Sequence, residues 1–174
     1  MTEIEVKIRI GDAKAARERI LALGAVVSRE RRLEQDSLFD FDPPLLRPAR
    51  RALRLRTVGK WAALAYKGEP QKSRSFKVRE EFWTQVRDPR ETRKILKALG
   101  LRETLSLRKH RTMLRKKRLT ICIDETAAGN FIELEGERHE IVRFAKALGY
   151  GRADFVTASY PDLLAGREGT GGTA

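Results

Sequence analysis

The chain has 174 residues, with 37 Lys+Arg against 24 Asp+Glu for a formal charge of +13, and is 41% hydrophobic and 35% charged. That balance excludes a disordered polyelectrolyte, fits one domain with a real core, and predicts an anionic partner: nucleic acid, a phosphorylated metabolite or an acidic membrane surface. A single cysteine, Cys122, excludes a disulfide framework and a cysteine-built metal site. With no apolar run near ~20 residues and no signal-peptide core, the expected setting is soluble and cytoplasmic.

Residues 3–10 read Glu-Ile-Glu-Val-Lys-Ile-Arg-Ile, charge and aliphatic in strict alternation. Strand side chains alternate faces, so Ile4, Val6, Ile8 and Ile10 share one face while Glu3, Glu5, Lys7 and Arg9 share the other. Two carboxylates ~6.6 Å apart on that face repel by ~2.5 kcal/mol at an effective dielectric of about 20. Asp12 then predicts a capped helix from Ala13 to Leu23, stopped by Gly24. Strand-like alternation returns at 25–30, 35–41, 51–58, 61–67 and 75–86. Asp88-Pro89-Arg90-Glu91 reads as a capping box with proline at the first helical position, and Gly100 closes that helix. Further strands are expected at 104–114, 119–124 and 130–136, a third helix from about 138 to 148, and a short helix near 153–164 broken at Pro161. The chain reads as one domain over 1–165 with a flexible tail at 166–174, rich in Gly and Thr.

A repeat runs through this order. Strand, Asp cap, helix, Ala-Leu-Gly and strand occur at 3–30 and again at 80–108. Two similar halves of mainly antiparallel strands predict an α+β fold, a pseudo-symmetric sheet or closed barrel with helices outside.

The charged positions are sorted by sign. Acids stand at Glu3, Glu5, Asp124, Glu133 and Glu135, and bases at Arg54, Arg56, Lys67, Lys109 and Arg111, with Arg79 and Glu81 sharing a strand face. If the aliphatic faces carry the helices, the charged faces converge on water or on a ligand, because buried charges need partners. A polyphosphate with a divalent metal satisfies both signs. Phosphate oxygens prefer Arg and Lys, and hard Mg²⁺ or Mn²⁺ prefers carboxylate oxygen.

Other residues read as ordinary structure. His110 is expected to turn away from the charged face and His139 to be solvated. Cys122 shares the face of Asp124 as an inert small residue, and Arg115-Lys116-Lys117-Arg118 forms a hairpin tip. Trp61 and Trp83 are expected to pack under helices rather than to stack on bases.

Glu3-Ile4-Glu5-Val6-Lys7 resembles the ExExK signature of the CYTH superfamily, the triphosphate tunnel metalloenzymes. The likeness continues through Gln35 to Asp40, Ala52-Leu53-Arg54-Leu55-Arg56, Tyr66-Lys67-Gly68, Arg79-Glu80-Glu81, Lys109-His110-Arg111, Asp124 and Phe131 to Glu135. Ser159-Tyr160-Pro161-Asp162-Leu163-Leu164 is similar to the bacterial and archaeal branch. The resemblance implies an eight-stranded antiparallel β-barrel that binds a triphosphate lengthwise. It implies phosphate contacts from Arg54, Arg56, Lys67, Lys109 and Arg111, with Lys7 assisting, and Arg79 on the face of Glu81 is a further candidate for substrate binding. Glu3, Glu5, Asp124, Glu133 and Glu135 would hold one or two Mg²⁺ or Mn²⁺ ions, and Glu5, Lys7 and Glu81 would orient the attacking water. Some members bring a lysine into the tunnel from a C-terminal helix; Thr157 to Tyr160 offers none.

Three functions follow. The first is metal-dependent hydrolysis of an inorganic or organic triphosphate. The second is class IV adenylyl cyclase chemistry on ATP; members with that activity tend to carry a His-Phe pair upstream of ExExK, and its absence before Met1-Thr2 favours hydrolysis. The third is metal-free polyphosphate or RNA binding, which the sorted carboxylates oppose because they repel a polyanion. A small-molecule triphosphate is the expected partner, without membrane or nucleic acid, for a monomer or homodimer.

Overall fold

A computed structural model describes residues 2–73 and 75–166. In chain order the elements are β1 (Thr2–Ile10), α1 (Ala13–Ala22), β2 (Val26–Asp40), β3 (Ala52–Val58), β4 (Trp61–Lys67), β5 (Lys77–Gln85), α2 (Pro89–Ala98), β6 (Arg102–Lys116), β7 (Leu119–Thr126) and β8 (Gly129–Glu135). After them come α3 (Arg138–Ala147), a 3-10 turn at Arg152–Asp154, β9 (Phe155–Val156) and α4 (Tyr160–Leu164). The sheet order is β5-β4-β3-β2-β6-β7-β8-β1, and β1 pairs back onto β5. This closes an eight-stranded antiparallel barrel with the helices outside, the expected α+β class. β9 is a short addition to β1, pairing Val156 and Phe155 with Lys7 and Ile8.

The expected repeat is present in the local structure. Asp12 caps α1 by accepting from the Ala15 N–H, and Asp88 caps α2 by accepting from Arg90 and Glu91, with Pro89 in the first turn. Both helices, and α3 as well, end in Leu-Gly. Gly24, Gly100 and Gly149 take φ of +80°, +87° and +84°, a region that L side chains rarely enter and that lets the chain turn back to donate to the last carbonyls.

Several boundaries differ from expectation. The segments 25–30 and 35–41 are one 15-residue strand, β2, which runs unbroken from exposed Arg31 to buried Glu34 between them. No helix spans 153–164. The chain there turns at Arg152–Asp154, extends through β9, and starts α4 with Ser159 and Asp162 in a reciprocal cap. Pro161 begins that helix rather than breaking it, since a first-turn residue has no intrahelical N–H bond to lose. Apart from Gly166, the tail expected to be flexible lies outside the described residues.

The chain divides into two compact units. One comprises mainly Leu33–Gln71 and Arg79–Arg108. Its apolar core joins Phe39 and Leu55 to Leu96 of α2 and to Leu101. The other comprises Glu3–Arg32, Lys72–Val78 and the chain from Lys109 onward. There Val6, Ile8, Ile121, Ile123, Ile132 and Leu134 form one aliphatic face, covered by Ala16 and Ile20 of α1 and by Ile141, Phe144 and Ala145 of α3. Every one of those strand residues is at most 2% exposed. Removing aliphatic surface from water on that face also dictates what the opposite face must hold, because strand alternation leaves it the charged positions.

The loop after β2 hangs on one buried carboxylate. Asp40, 3% exposed, accepts from the N–H groups of Phe41, Leu45 and Leu46 through Oδ1 and from that of Arg47 through Oδ2, at 2.8–2.9 Å. Burial opposes its charge, but the four donors hold its pKa below the usual carboxylate value. Its contribution is therefore present above about pH 4 and lost as pH falls through the lower folded value. Asp40→Asn puts an amide donor against the Arg47 N–H and should cost about 2 kcal/mol at pH 7. Urea melts of both proteins should converge as the pH is lowered below about 4.

Candidate active site

In the second unit, β1 carries Glu3, Glu5 and Lys7 on one face at 9%, 5% and 3% exposure. Opposite in register, Lys7 meets Glu133 and Glu5 meets Glu135 on β8. The Lys7 Nζ sits 3.1 Å from Glu5 Oε1 and 3.3 Å from Glu133 Oε2, and Lys77 reaches Glu5 from β5 at 3.4 Å. Burial works against the Lys7 ammonium, yet Glu5 and then Glu133 outweigh it and hold the pKa above the ordinary lysine value. Lys7 is therefore a cation and a proton donor here, not a base.

Asp124 is the most deeply buried acid, at 0% exposure. Arg111, its cross-strand partner, grips it through Nε and Nη2 at 2.5 Å each, and also reaches Glu133 at 2.8 Å. Lys109 donates to Asp124 at 2.9 Å, and the Tyr160 hydroxyl donates at 2.6 Å. Burial alone would neutralise Asp124; Arg111 and Lys109 instead hold its pKa below the usual carboxylate range. The ring of Tyr160 lies 4.8 Å from the Lys109 ammonium and 5.2 Å from that of Lys7, and meets Phe131 edge-on. The C-terminal segment thus contacts the charged face through a tyrosine, where some relatives were expected to use lysine. Cys122 shares this face and its thiol is pushed up to about 12, first by burial, which keeps it protonated and inert as expected.

The first unit holds its own charged cluster. Arg56 pairs in register with Asp36 and binds it bidentately at 2.7 Å, while its Nη1 reaches Glu34 at 2.9 Å. Arg54 lies 3.5 Å from Glu81 and 4.0 Å from Asp36. Lys67, the register partner of Glu81, reaches it at 3.0 Å. Arg79 is buried on the same face of β5, at 8% exposure.

The CYTH domain family model matches residues 1–160. The chain belongs to the CYTH family. No curated protein matches it. Among solved structures, a candidate adenylate cyclase of Vibrio parahaemolyticus is similar over 95% of this chain and 98% of its own, with 20% identity and a TM-score of 0.85. A Pyrococcus horikoshii protein is similar over 92% and 98%, with 23% identity and a TM-score of 0.80. A candidate adenylyl cyclase from Hippeastrum, described as having a dominant triphosphatase activity, is similar over 95% and 96%, with 19% identity and a TM-score of 0.71. At these identities the likenesses establish the CYTH fold. No helix among the described residues is long and apolar enough to cross a membrane.

Every charged residue singled out in the sequence lies on the charged face of its strand. Sequence reasoning missed Glu34, Asp36, Lys77 and Tyr160. The first three had a signal: each extends a two-residue charge period by one more step, from Arg79 back to Lys77 and along β2 from Asp36 to Glu34. Tyr160 had none, since its role depends on how α4 is brought back onto β7. His110 is half-buried, His139 is exposed, and Lys117-Arg118 turn the expected hairpin, with Lys117 at φ +53°. Trp83 is a correction: it packs under no helix and is 64% exposed. Trp61 is half-buried.

The carboxylates of these faces are the candidate donors for a divalent cation. Among the described residues no three His, Cys, Asp or Glu stand grouped closely enough to hold a metal ion. The chemistry of the donors fits nonetheless. Glu5 and Glu135 face each other in register, and carboxylates at the ~5 Å of cross-strand neighbours repel by ~3 kcal/mol at a dielectric of about 20. The Lys7 ammonium between Glu5 and Glu133 already stands in for a cation there. Oxygen-only donors suit Mg²⁺ or Mn²⁺ and exclude a soft metal site.

Proposed function

We propose that this CYTH protein hydrolyses a triphosphate in a reaction dependent on Mg²⁺ or Mn²⁺, with residues 1–165 acting as one catalytic domain. The observation that carries the reading is the in-register facing of Glu5 and Glu135 beside the Lys7–Glu133 pair, an acid cluster that a polyphosphate tolerates only with a cation between. Glu3, Glu5, Asp124, Glu133 and Glu135 would hold one or two ions, which supply Lewis-acid polarisation of the phosphoryl oxygens.

The protein's own groups do the rest. Arg54, Arg56, Lys67, Arg79, Lys109 and Arg111 bind phosphate oxygens, and their fixed charges neutralise what develops on the leaving diphosphate. Arg54, Arg56, Lys67, Lys109 and Arg111 already hold a carboxylate, so phosphate binding exchanges one anionic partner for another there. A water oriented by Glu5 or Glu81 attacks the terminal phosphorus and gives its proton to that carboxylate. The bond from phosphorus to the bridging oxygen breaks, and Lys7, which keeps its proton, stabilises the departing oxygen. Orthophosphate and diphosphate leave.

A second reading shares these residues. With ATP bound, the ribose 3′-hydroxyl can replace water as nucleophile at the innermost phosphorus, giving cyclic AMP and pyrophosphate. The likeness to the Vibrio parahaemolyticus protein supports it, and the likeness to the Hippeastrum protein supports hydrolysis. A panel of tripolyphosphate, ATP and thiamine triphosphate, each with Mg²⁺ and with Mn²⁺, separates the two by product. Orthophosphate is the expected product; cyclic AMP with pyrophosphate would replace hydrolysis by cyclisation, and no turnover of any substrate would remove both.

A further inference from the structure

Trp83 occupies an unusual place for an exposed tryptophan. It lies on β5, where side chains alternate, and so shares the face of Lys77, Arg79 and Glu81 rather than that of the apolar core. The register fixes its neighbours. Trp83 stands opposite Ala65 on β4, and Ala65 stands opposite Arg54 on β3. On either side along β4, the same face carries Ala63 and Lys67, the latter opposite Glu81. A large indole is thus set beside two alanines, side chains too short to cover it, and it remains 64% exposed.

An exposed tryptophan is costly in apolar surface left in water, and here the sheet spends no bulky residue to cover it. The charge around it has a definite layout. Arg54 is two strand spacings away, ~10 Å, and Lys67 and Glu81 lie one side-chain repeat, ~6.6 Å, further along. That separation is about what one sugar unit spans between a planar base and its phosphates. A flat, uncovered π surface next to phosphate-binding cations is the arrangement by which proteins hold bases without reading their edges.

We infer that Trp83 is a stacking platform for the ring of an organic triphosphate, so that the substrate class is a nucleoside triphosphate or another ring-bearing triphosphate rather than inorganic tripolyphosphate alone. This rests on the triphosphate reading above and narrows it. Stacking tolerates any base, because every base has a π face, so Trp83 favours ring-bearing substrates over bare phosphate and discriminates little between adenine and guanine.

The test compares ATP, GTP and tripolyphosphate on the full chain and on Trp83→Ala and Trp83→Phe. Expected is a fall in kcat/KM for ATP and GTP at least tenfold greater than the fall for tripolyphosphate in Trp83→Ala, carried mainly by KM, with Trp83→Phe recovering much of it. Equal losses on all three substrates, with or without a lowered melting temperature, would make Trp83 structural and overturn the inference. No loss on any would do the same. Binding supplies the independent arm: with Mg²⁺ present and emission read on mixing, before turnover, ATP should quench the tryptophan emission of the parent chain and not that of Trp83→Ala, while tripolyphosphate quenches neither. If no substrate is turned over but that quenching difference is present, the hydrolytic reading fails and the stacking site stands. Absence of quenching by ATP in the parent chain at saturating concentration would end it.

Discussion

Glu5→Gln should lower Mg²⁺- or Mn²⁺-dependent release of orthophosphate from tripolyphosphate by at least ~100-fold, since even outer partners of a metal site are worth about 10–100-fold. The substitution keeps shape and removes charge. In the parent chain the Glu5 carboxylate, 5% exposed, holds Lys7 at 3.1 Å and Lys77 at 3.4 Å. As an amide it can still accept from one of them, so the fold should survive, and circular dichroism should show an unchanged barrel. What is lost is half of the negative pair formed with Glu135, and with it the field that draws a divalent cation to this face. Glu135→Gln should behave alike. The metal concentration for half-maximal rate should rise in both variants, a change that mere loosening of the strand would not produce. Full activity in either would refute the role assigned to these carboxylates, as would undiminished turnover of the parent chain in EDTA.

Arg111→Ala should destabilise the fold by about 3–5 kcal/mol, the usual consequence of leaving a buried charge without its main partner. For a chain of this length that corresponds to a melting temperature lower by roughly 10 °C. Asp124, 0% exposed, would retain Lys109 and Tyr160, two donors where the bidentate guanidinium had supplied two more. Asp124→Asn in the same background should recover part of the loss, because an amide needs no counter-ion. Arg111→Lys restores charge without the planar fork and should fall between the two. Thermal melts of the parent, Arg111→Ala, Asp124→Asn and the double variant form the double-mutant cycle. Additive effects of Arg111→Ala and Asp124→Asn would show that the two side chains do not act as the coupled pair described. The pH dependence has a definite sign: Asp124 has its pKa lowered by Arg111, so its contribution is full above the unfolded carboxylate value of about 3.9 and is lost as pH falls through the folded one.

How legible the molecule was depends on the range of the interaction involved. Asp12, Asp88 and the Leu-Gly endings act within one helical turn, and the elements they bound were readable in order. β2 does not show as one strand in the sequence because its middle, Arg29 to Glu34, carries charge on both faces, and only pairing with distant strands keeps it extended. The short helix expected across Pro161 failed for the same reason in reverse. Ser159 and Asp162 cap α4 locally, but the extended stretch before it exists because β9 finds β1, more than a hundred residues earlier in the chain.

Two-residue periodicity, a property of any pleated strand, was enough to sort Glu3, Glu5 and Lys7 from Val6 and Ile8 and to place Arg54, Arg56, Arg111, Glu133 and Glu135 on charged faces. Sequence by itself therefore determined which residues share a face, where helices start and stop, and which family the motifs resemble. Tertiary structure alone decided who meets whom: that Arg111 spans Asp124 and Glu133, that Lys7 lies between Glu5 and Glu133, that Tyr160 returns to Asp124, and that Trp83 stands uncovered beside alanines. Alternation is a local rule set by the geometry of one strand, whereas register, closure and exposure are set by which distant strands pair, and a single strand carries no record of its partner.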